Sequence, residues 1–264
     1  MNITQKFSSL LATGVGLVLV VGAAIAAPGD PVPPGSIAPP GPAGTGCSGI
    51  GVAYDGTTIW YTCAGESKIR KTNLIGADLG FIDTVEGVTP VAVDAIAWDP
   101  TEGKIWGGDL VDADPAAPGN DTCRIYSIDP VTGAATTRFD RIDLGCGSGF
   151  NFFDGLTVDS VTDTLYYSPD VQKLIRHLTK GGVDIGAPID FETLTSGPDL
   201  CPSHEPVPDT DPATDGCNNS GLAIGLDGTL FAGTNGAGKI MSLDPTVPSL
   251  LSAFTTVSGR DEDL

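Results

Sequence analysis

The chain is poor in cations. Its 264 residues hold 13 Lys plus Arg against 33 Asp plus Glu, a formal net charge of −20. Such a surface repels phosphate backbones and anionic headgroups, so nucleic acid and peripheral membrane binding are not expected. Histidine is scarce too: His177 and His204 are the only two. No Gly-x-Ser-x-Gly, HExxH or Cys–His constellation occurs, which removes the common serine, zinc and thiol hydrolase patterns. The six cysteines form no CxxC pair, so zinc-ribbon and thioredoxin chemistry have no support. After Ala27 no run is apolar enough to span a bilayer.

What is present begins with a targeting segment. Lys6 is its one charge, an apolar stretch runs from Phe7 to Ala27, and Ala24-Ile25-Ala26 is a small-x-small cleavage site. Residues 1–26 read as a secretory signal peptide, with a retained anchor as the rival, and the expected location is extracellular or periplasmic. Residues 27–46 are rich in Pro, Gly and Ala, which neither pair nor pack well, and read as a linker. In an exported chain six cysteines suggest disulfides. Local pairing gives Cys47–Cys63, Cys123–Cys146 and Cys201–Cys217.

One phrase then recurs four times: Gly51-Val-Ala-Tyr-Asp55, Ala95-Ile-Ala-Trp-Asp99, Gly155-Leu-Thr-Val-Asp159 and Gly221-Leu-Ala-Ile-Gly-Leu-Asp227. A second apolar run follows each copy (Ile59–Tyr61, Lys104–Trp106, Leu165–Tyr167, Leu230–Ala232), and then a third. Short strands repeating at about 40–50 residues predict an all-β fold, a β-propeller of about four visible blades. The first run suits an inner strand buried between blades, and its closing Asp suits a turn, bonding the backbone two residues on. The blades are expected at about 47–90, 91–145, 150–192 and 218–258, with a fifth starting at 259–264, where the next inner strand would begin; that predicts an incomplete copy of a larger, six-bladed ring. Polar insertions are expected at Leu110–Thr122 and Thr193–Asn218, and loops on a rigid ring commonly carry recognition. Trp60, Trp98 and Trp106 are expected to pack between blades, and His177 to be an exposed strand residue.

The stretch Asp154-Gly-Leu-Thr-Val-Asp-Ser-Val-Thr-Asp-Thr-Leu-Tyr-Tyr-Ser-Pro-Asp170, continuing to Ile175-Arg-His-Leu-Thr-Lys-Gly181, resembles a YWTD blade, with Tyr166-Tyr-Ser-Pro169 at the name-giving tetrapeptide. Asn219-Ser-Gly-Leu-Ala-Ile-Gly-Leu-Asp-Gly-Thr-Leu-Phe-Ala232 resembles SMP-30/gluconolactonase and NHL blades. These families share six-bladed propellers. The YWTD and NHL resemblance implies ligand or protein binding without chemistry. The SMP-30 resemblance implies a metal-dependent lactone hydrolase whose ion sits at one axial mouth, and carries that role onto Asp94, Asp154 and Asn219. Ser220 stands where that family has its Asn, Ile50 holds the equivalent place in the first blade, and no N-terminal Glu precedes it. The structural alternative is that Asp94 and Asp154 accept amides from adjacent blades.

Asp209, Asp211 and Asp215, spaced at odd positions, form a second candidate calcium loop, though the Gly and closing Glu of an EF-hand are missing. Gly233-Thr-Asn-Gly-Ala-Gly-Lys239 nearly spells a phosphate loop, but Ile240 replaces the required Ser or Thr and no helix follows. Asn120-Asp-Thr122 and Asn218-Asn-Ser220 match the glycosylation sequon. The expected function is a secreted, non-catalytic binding module for a protein or small molecule, with no membrane insertion once the signal is removed. The alternatives are the lactone hydrolase and a structural repeat rigidified by calcium. Any cofactor is expected to be Ca²⁺ ahead of Zn²⁺.

Overall fold

The computed structural model describes residues 49–63, 65–111, 122–141, 155–168, 174–195, 219–234 and 238–255. They form four four-stranded sheets, each an antiparallel meander. The first sheet holds β1 (Gly49–Tyr54), β2 (Ile59–Cys63), β3 (Lys68–Thr72) and β4 (Asp78–Asp83). A small ribbon follows, β5 (Val85–Glu86) with β6 (Thr89–Pro90). The second sheet holds β7 (Ile96–Asp99), β8 (Lys104–Val111), β9 (Thr122–Ile128) and β10 (Ala135–Arg141). The third holds β11 (Gly155–Asp159), β12 (Thr164–Ser168), β13 (Leu174–Thr179) and β14 (Ile189–Asp190), followed by the one-turn helix α1 (Phe191–Thr195). The fourth holds β15 (Asn219–Ile224), β16 (Leu230–Thr234), β17 (Lys239–Asp244) and β18 (Ser249–Thr255).

The first strands β1, β7, β11 and β15 lie side by side in that order, so the sheets stand as the four blades of a β-propeller. Residues of all four, such as Val52, Ala97, Val158 and Ala223, line an axial cavity of about 460 Å³. The apolar faces of neighbouring blades bury one another in three cores. Ile69 and Trp60 of the first blade meet Ile105 and Ile128 of the second. Trp106 and Ile125 meet Leu165 and Tyr167. Ile175 and Phe191 meet Leu230 and Met241. Burial of such side chains contributes about 1.5–3 kcal/mol each. Among the described residues no comparable core joins the fourth blade to the first.

The repeated phrase has a physical origin at both ends. Its leading glycine has no room for a side chain: a Cβ on Gly51 would lie 2.3 Å from the carbonyl oxygen of Asp94, and one on Gly155 would lie 3.0 Å from Asn219 Oδ1. Each glycine is thus where the next blade's inner strand crosses. Its closing aspartate accepts the amide two residues on. The distances are 2.8 Å from Thr57 to Asp55, 2.9 Å from Thr101 to Asp99, 2.9 Å from Val161 to Asp159 and 3.0 Å from Thr229 to Asp227. Trp60 and Trp106 each donate their indole N–H to the aspartate of their own blade, at 2.8 and 3.0 Å. Both tryptophans are buried between blades, and Trp98, half-buried, packs on the first of the three cores.

Antiparallel order sends alternate connections to opposite ends of the blades. The Asp turns and the third-to-fourth-strand turns lie at one end, the turn end. The connections from second to third strand, and from each blade to the next, leave from the other, the loop end. The strand ends that bound 112–121, 142–154, 169–173 and 235–237 are all at the loop end, as are the end of β14 ahead of α1 and the start of β15 after 196–218. Two expectations need correction. Leu110, Val111 and Thr122 belong to strands, so that insertion is narrower, and Thr193–Thr195 is helical rather than loop. The reason is local: Asp190 caps the turn by accepting the Thr193 amide at 2.9 Å and its hydroxyl at 2.8 Å.

Candidate functional site

The loop end of the inner strands is the candidate site. Asp94 enters it just before β7, half-buried, with its backbone tied to both neighbouring strands. Its N–H donates to the Gly108 carbonyl at 2.9 Å, and its carbonyl accepts the Thr62 hydroxyl at 2.6 Å. The same Thr62 oxygen accepts the Gly51 amide at 2.9 Å. One hydroxyl therefore joins the first two blades at the rim.

Asn219 opens β15 and is fully buried. Its Nδ2 donates to the carbonyls of Gly221 at 3.0 Å and Gly233 at 3.2 Å, which fixes the amide's orientation. The register of β15 against β16 shifts between Asn219 and Gly221, a bulge of the kind that re-aims a side chain. Asn219 Oδ1 has no hydrogen-bond partner, and is the one such buried side-chain atom among the described residues. A buried acceptor left without a donor costs about 1–3 kcal/mol. The oxygen faces Gly155 at the start of β11. Asp94 and Asn219 thus both stand at the loop end, each at the entry to an inner strand.

Asp154, Asp209, Asp211, Asp215 and His204 lie outside the described residues, as do Cys47, Cys146, Cys201 and Cys217. Cys63 and Cys123 are both disulfide-bonded. Cys123 Sγ also lies 3.4 Å from the Tyr167 hydroxyl, which donates to it. Among the described residues no group of three or more His, Cys, Asp or Glu could hold a metal. No helix among them is long and apolar enough to cross a membrane. Of residues 233–239, Gly233 and Thr234 end β16 and Lys239 opens β17, and 235–237 lie outside the described residues.

The turn end carries a different chemistry that the sequence did not reveal. Lys180 Nζ lies 2.5 Å from Asp99, 3.3 Å from Glu102, and against Asp163. It crosses from the third blade to the second. Burial alone would raise the Asp99 carboxyl, but Lys180 and the amides of Glu102 and Thr101 hold it below its ordinary range. Burial alone would lower Lys180, but Asp163 and Asp99 outweigh it and raise the ammonium. His177, expected to be exposed, is instead half-buried, stacked on Tyr166 with ring centroids 4.3 Å apart. The cause is β12 of the same blade, whose Tyr166 covers one face of the ring and whose Thr164 bonds its edge, beside a cleft that the fourth blade helps to wall. No local sequence signal could have found either arrangement, because each joins residues of different blades or different strands.

No family model matches the chain, and no curated protein matches it. Among solved structures, it is similar to a chain of a nidogen/laminin complex at 15% identity and a TM-score of 0.46, covering 79% of this chain and 64% of that one. It is similar to a protein of unknown function from Bacteroides caccae at 9% identity and a TM-score of 0.45, covering 80% and 62%. A luciferin-regenerating enzyme is similar at 13% identity and a TM-score of 0.48, covering 81% and 78%. The chain spans less than two thirds of the length of the first two.

Proposed function

We propose that this chain is a secreted, non-catalytic propeller that recognises its ligand, a protein or small molecule, on the loop end. The observation that supports this reading is the parity of the connections. The three longest segments between strands, residues 112–121, 142–154 and the stretch from β14 to β15, leave from that one end, while four Asp turns at the other satisfy their own amides. A rigid scaffold with its longest segments on one rim is the usual layout of a binding module. The test replaces residues 112–121 and 196–218, separately, with Asn-Gly turns, and compares retention of components of the host's extracellular fraction on the immobilised chain. Selective loss of retained species in the variants, with melting temperatures unchanged, is expected. Equal retention by the parent and both variants overturns the reading.

A second reading, a metal-dependent lactone hydrolase, draws on one observation: the unpartnered oxygen of Asn219 at the loop end, where Asp94 also stands at the entry to an inner strand. An amide oxygen with carboxylates suits a hard cation such as Ca²⁺, and Asp94, Asn219 and Asp154 would hold it. The ion would supply electrophilic polarisation of a lactone carbonyl. Asn219 Nδ2, fixed by two carbonyls, would hold the ligand oxygen in place. Calcium titration with thermal melts, followed by a lactone panel with and without chelator, separates the readings. Chelator-sensitive turnover establishes the hydrolase. A raised melting point without turnover leaves the ion structural.

A further inference from the structure

A second cavity, of about 610 Å³, lies at the turn end between the third and fourth blades. That volume is in the usual range for small-molecule sites. Tyr166 and His177 line it, together with Pro188, Pro245 and Pro248. No lining residue is Lys or Arg, whereas Asp159 and Asp227 are both present. An anion is therefore disfavoured there, and the prolines offer apolar surface.

A hydrogen-bond chain fixes what the histidine presents. The Thr162 hydroxyl donates to Asp159 Oδ2 at 2.6 Å, which spends its only proton. The Thr162 oxygen, 2.7 Å from the Thr164 hydroxyl, must therefore accept from it. Thr164, its own proton spent, must accept at 2.7 Å from His177 Nε2. The carboxylate thus sets the tautomer three groups away: Nε2 carries the proton, and Nδ1 keeps a lone pair. Burial pushes the His177 imidazole down, against the pull of Asp159, which favours this neutral form. Nδ1 makes no hydrogen bond among the described residues, and neither does the hydroxyl of Tyr166, a residue only 3% exposed. Neither atom is sealed from solvent, since Asn219 Oδ1 is the one buried side-chain atom there without a partner. The solvent they open to is the cleft that both residues line.

We propose that this cleft binds a small organic ammonium ion, its N–H groups donating to His177 Nδ1 and the Tyr166 hydroxyl oxygen and its apolar body lying along Pro188, Pro245 and Pro248. The carboxylates of Asp159 and Asp227 supply the complementary field, and the stacked rings hold both acceptors in place. The site is at the opposite end of the molecule from the loop surface and does not depend on what that surface binds.

The test is titration calorimetry on the full chain with hexylamine, 1-hexanol and hexanoate at pH 7.5, where the amine is protonated. One-to-one binding of hexylammonium, about tenfold or more tighter than the alcohol and the carboxylate, is expected. The variant Tyr166→Phe keeps the ring stack and removes one acceptor, and should lower hexylammonium affinity about tenfold. Nitrogen NMR of the parent chain gives a second readout that needs no variant of the cleft. The His177 ring, assigned with the His204→Gln variant, should show the Nε2–H form, and its Nδ1 signal should move with hexylammonium and not with hexanol. Absence of saturable ammonium binding, equal affinity for alcohol and ammonium, or an unmoved Nδ1 signal each overturns the proposal. Nα-acetyl-lysine methylamide then tells the source: affinity matching hexylammonium assigns the site to a protein lysine, and affinity tenfold weaker assigns it to a free amine.

Discussion

Single atoms decide several features of this molecule. Gly51 tolerates no side chain, because the Asp94 carbonyl oxygen occupies the place at 2.3 Å and is backbone that cannot swing away. Gly51→Ala should destabilise by about 1–3 kcal/mol through overpacking. Gly181→Ala is the control, since its Cβ would meet only Thr179 Oγ1 at 3.8 Å, and should stay within about 0.5 kcal/mol. Urea titration of both variants checks this. Lys180 is the converse case, a side chain that cannot be removed. Lys180→Met strands the fully buried Asp99 carboxylate and should cost about 3 kcal/mol at neutral pH. The sign with pH follows from the depressed Asp99 carboxyl. Its stabilisation is complete above the ordinary aspartate range and is lost as pH falls through its lower folded value. The gap between parent and variant should therefore narrow on acidification, and urea titrations from pH 7 to pH 3 would show a constant gap if the pair were not coupled.

At the scale of strands and turns, the aspartates form a graded series. Asp99 accepts two amides, an indole and an ammonium. Asp55 accepts amides from Thr57 and Thr58, the Thr57 hydroxyl and an indole N–H, but no ammonium. Asp227, exposed, bonds one other residue only, Thr229, through its amide and its hydroxyl. Thermal melts should rank the losses Asp99→Ala, then Asp55→Ala, then Asp227→Ala, the last being smallest. Any other order denies that bonding partners set the turn's contribution. These turns were readable in the sequence because an Asp bonding two residues on is a local event. The inner strands were readable because a run without a polar face has nowhere to go but between blades. The ribbon β5–β6 was not: it is held through Glu86, which accepts the Thr137 amide at 3.0 Å and its hydroxyl at 2.6 Å from β10. His177 was misplaced for the same reason. Alternation along β13 looks like that of an exposed strand until Tyr166 of β12 stacks on His177. Asp94 and Asn219 were named from their place before the strands, but the orphaned oxygen of Asn219 depends on a bulge that no sequence pattern marks.

At the scale of the whole molecule, three cores join four blades in series. Nearest-neighbour coupling of this kind lets one end loosen without the other. Leu230→Ala, in the core between the third and fourth blades, should cost about 2–5 kcal/mol. Hydrogen exchange should then show lost protection across β15–β18, with β1–β4 retaining theirs. Uniform loss over all four blades would mean that the molecule melts as a single unit. The up-and-down order of the strands has an evolutionary corollary. Residues added between a second and third strand, or between blades, lengthen only one rim and leave every ladder in register. Residues added at an Asp turn would break a template whose donor and acceptor are two positions apart. One rim is free to drift toward new partners, and the other is held to its pattern by its own hydrogen bonds.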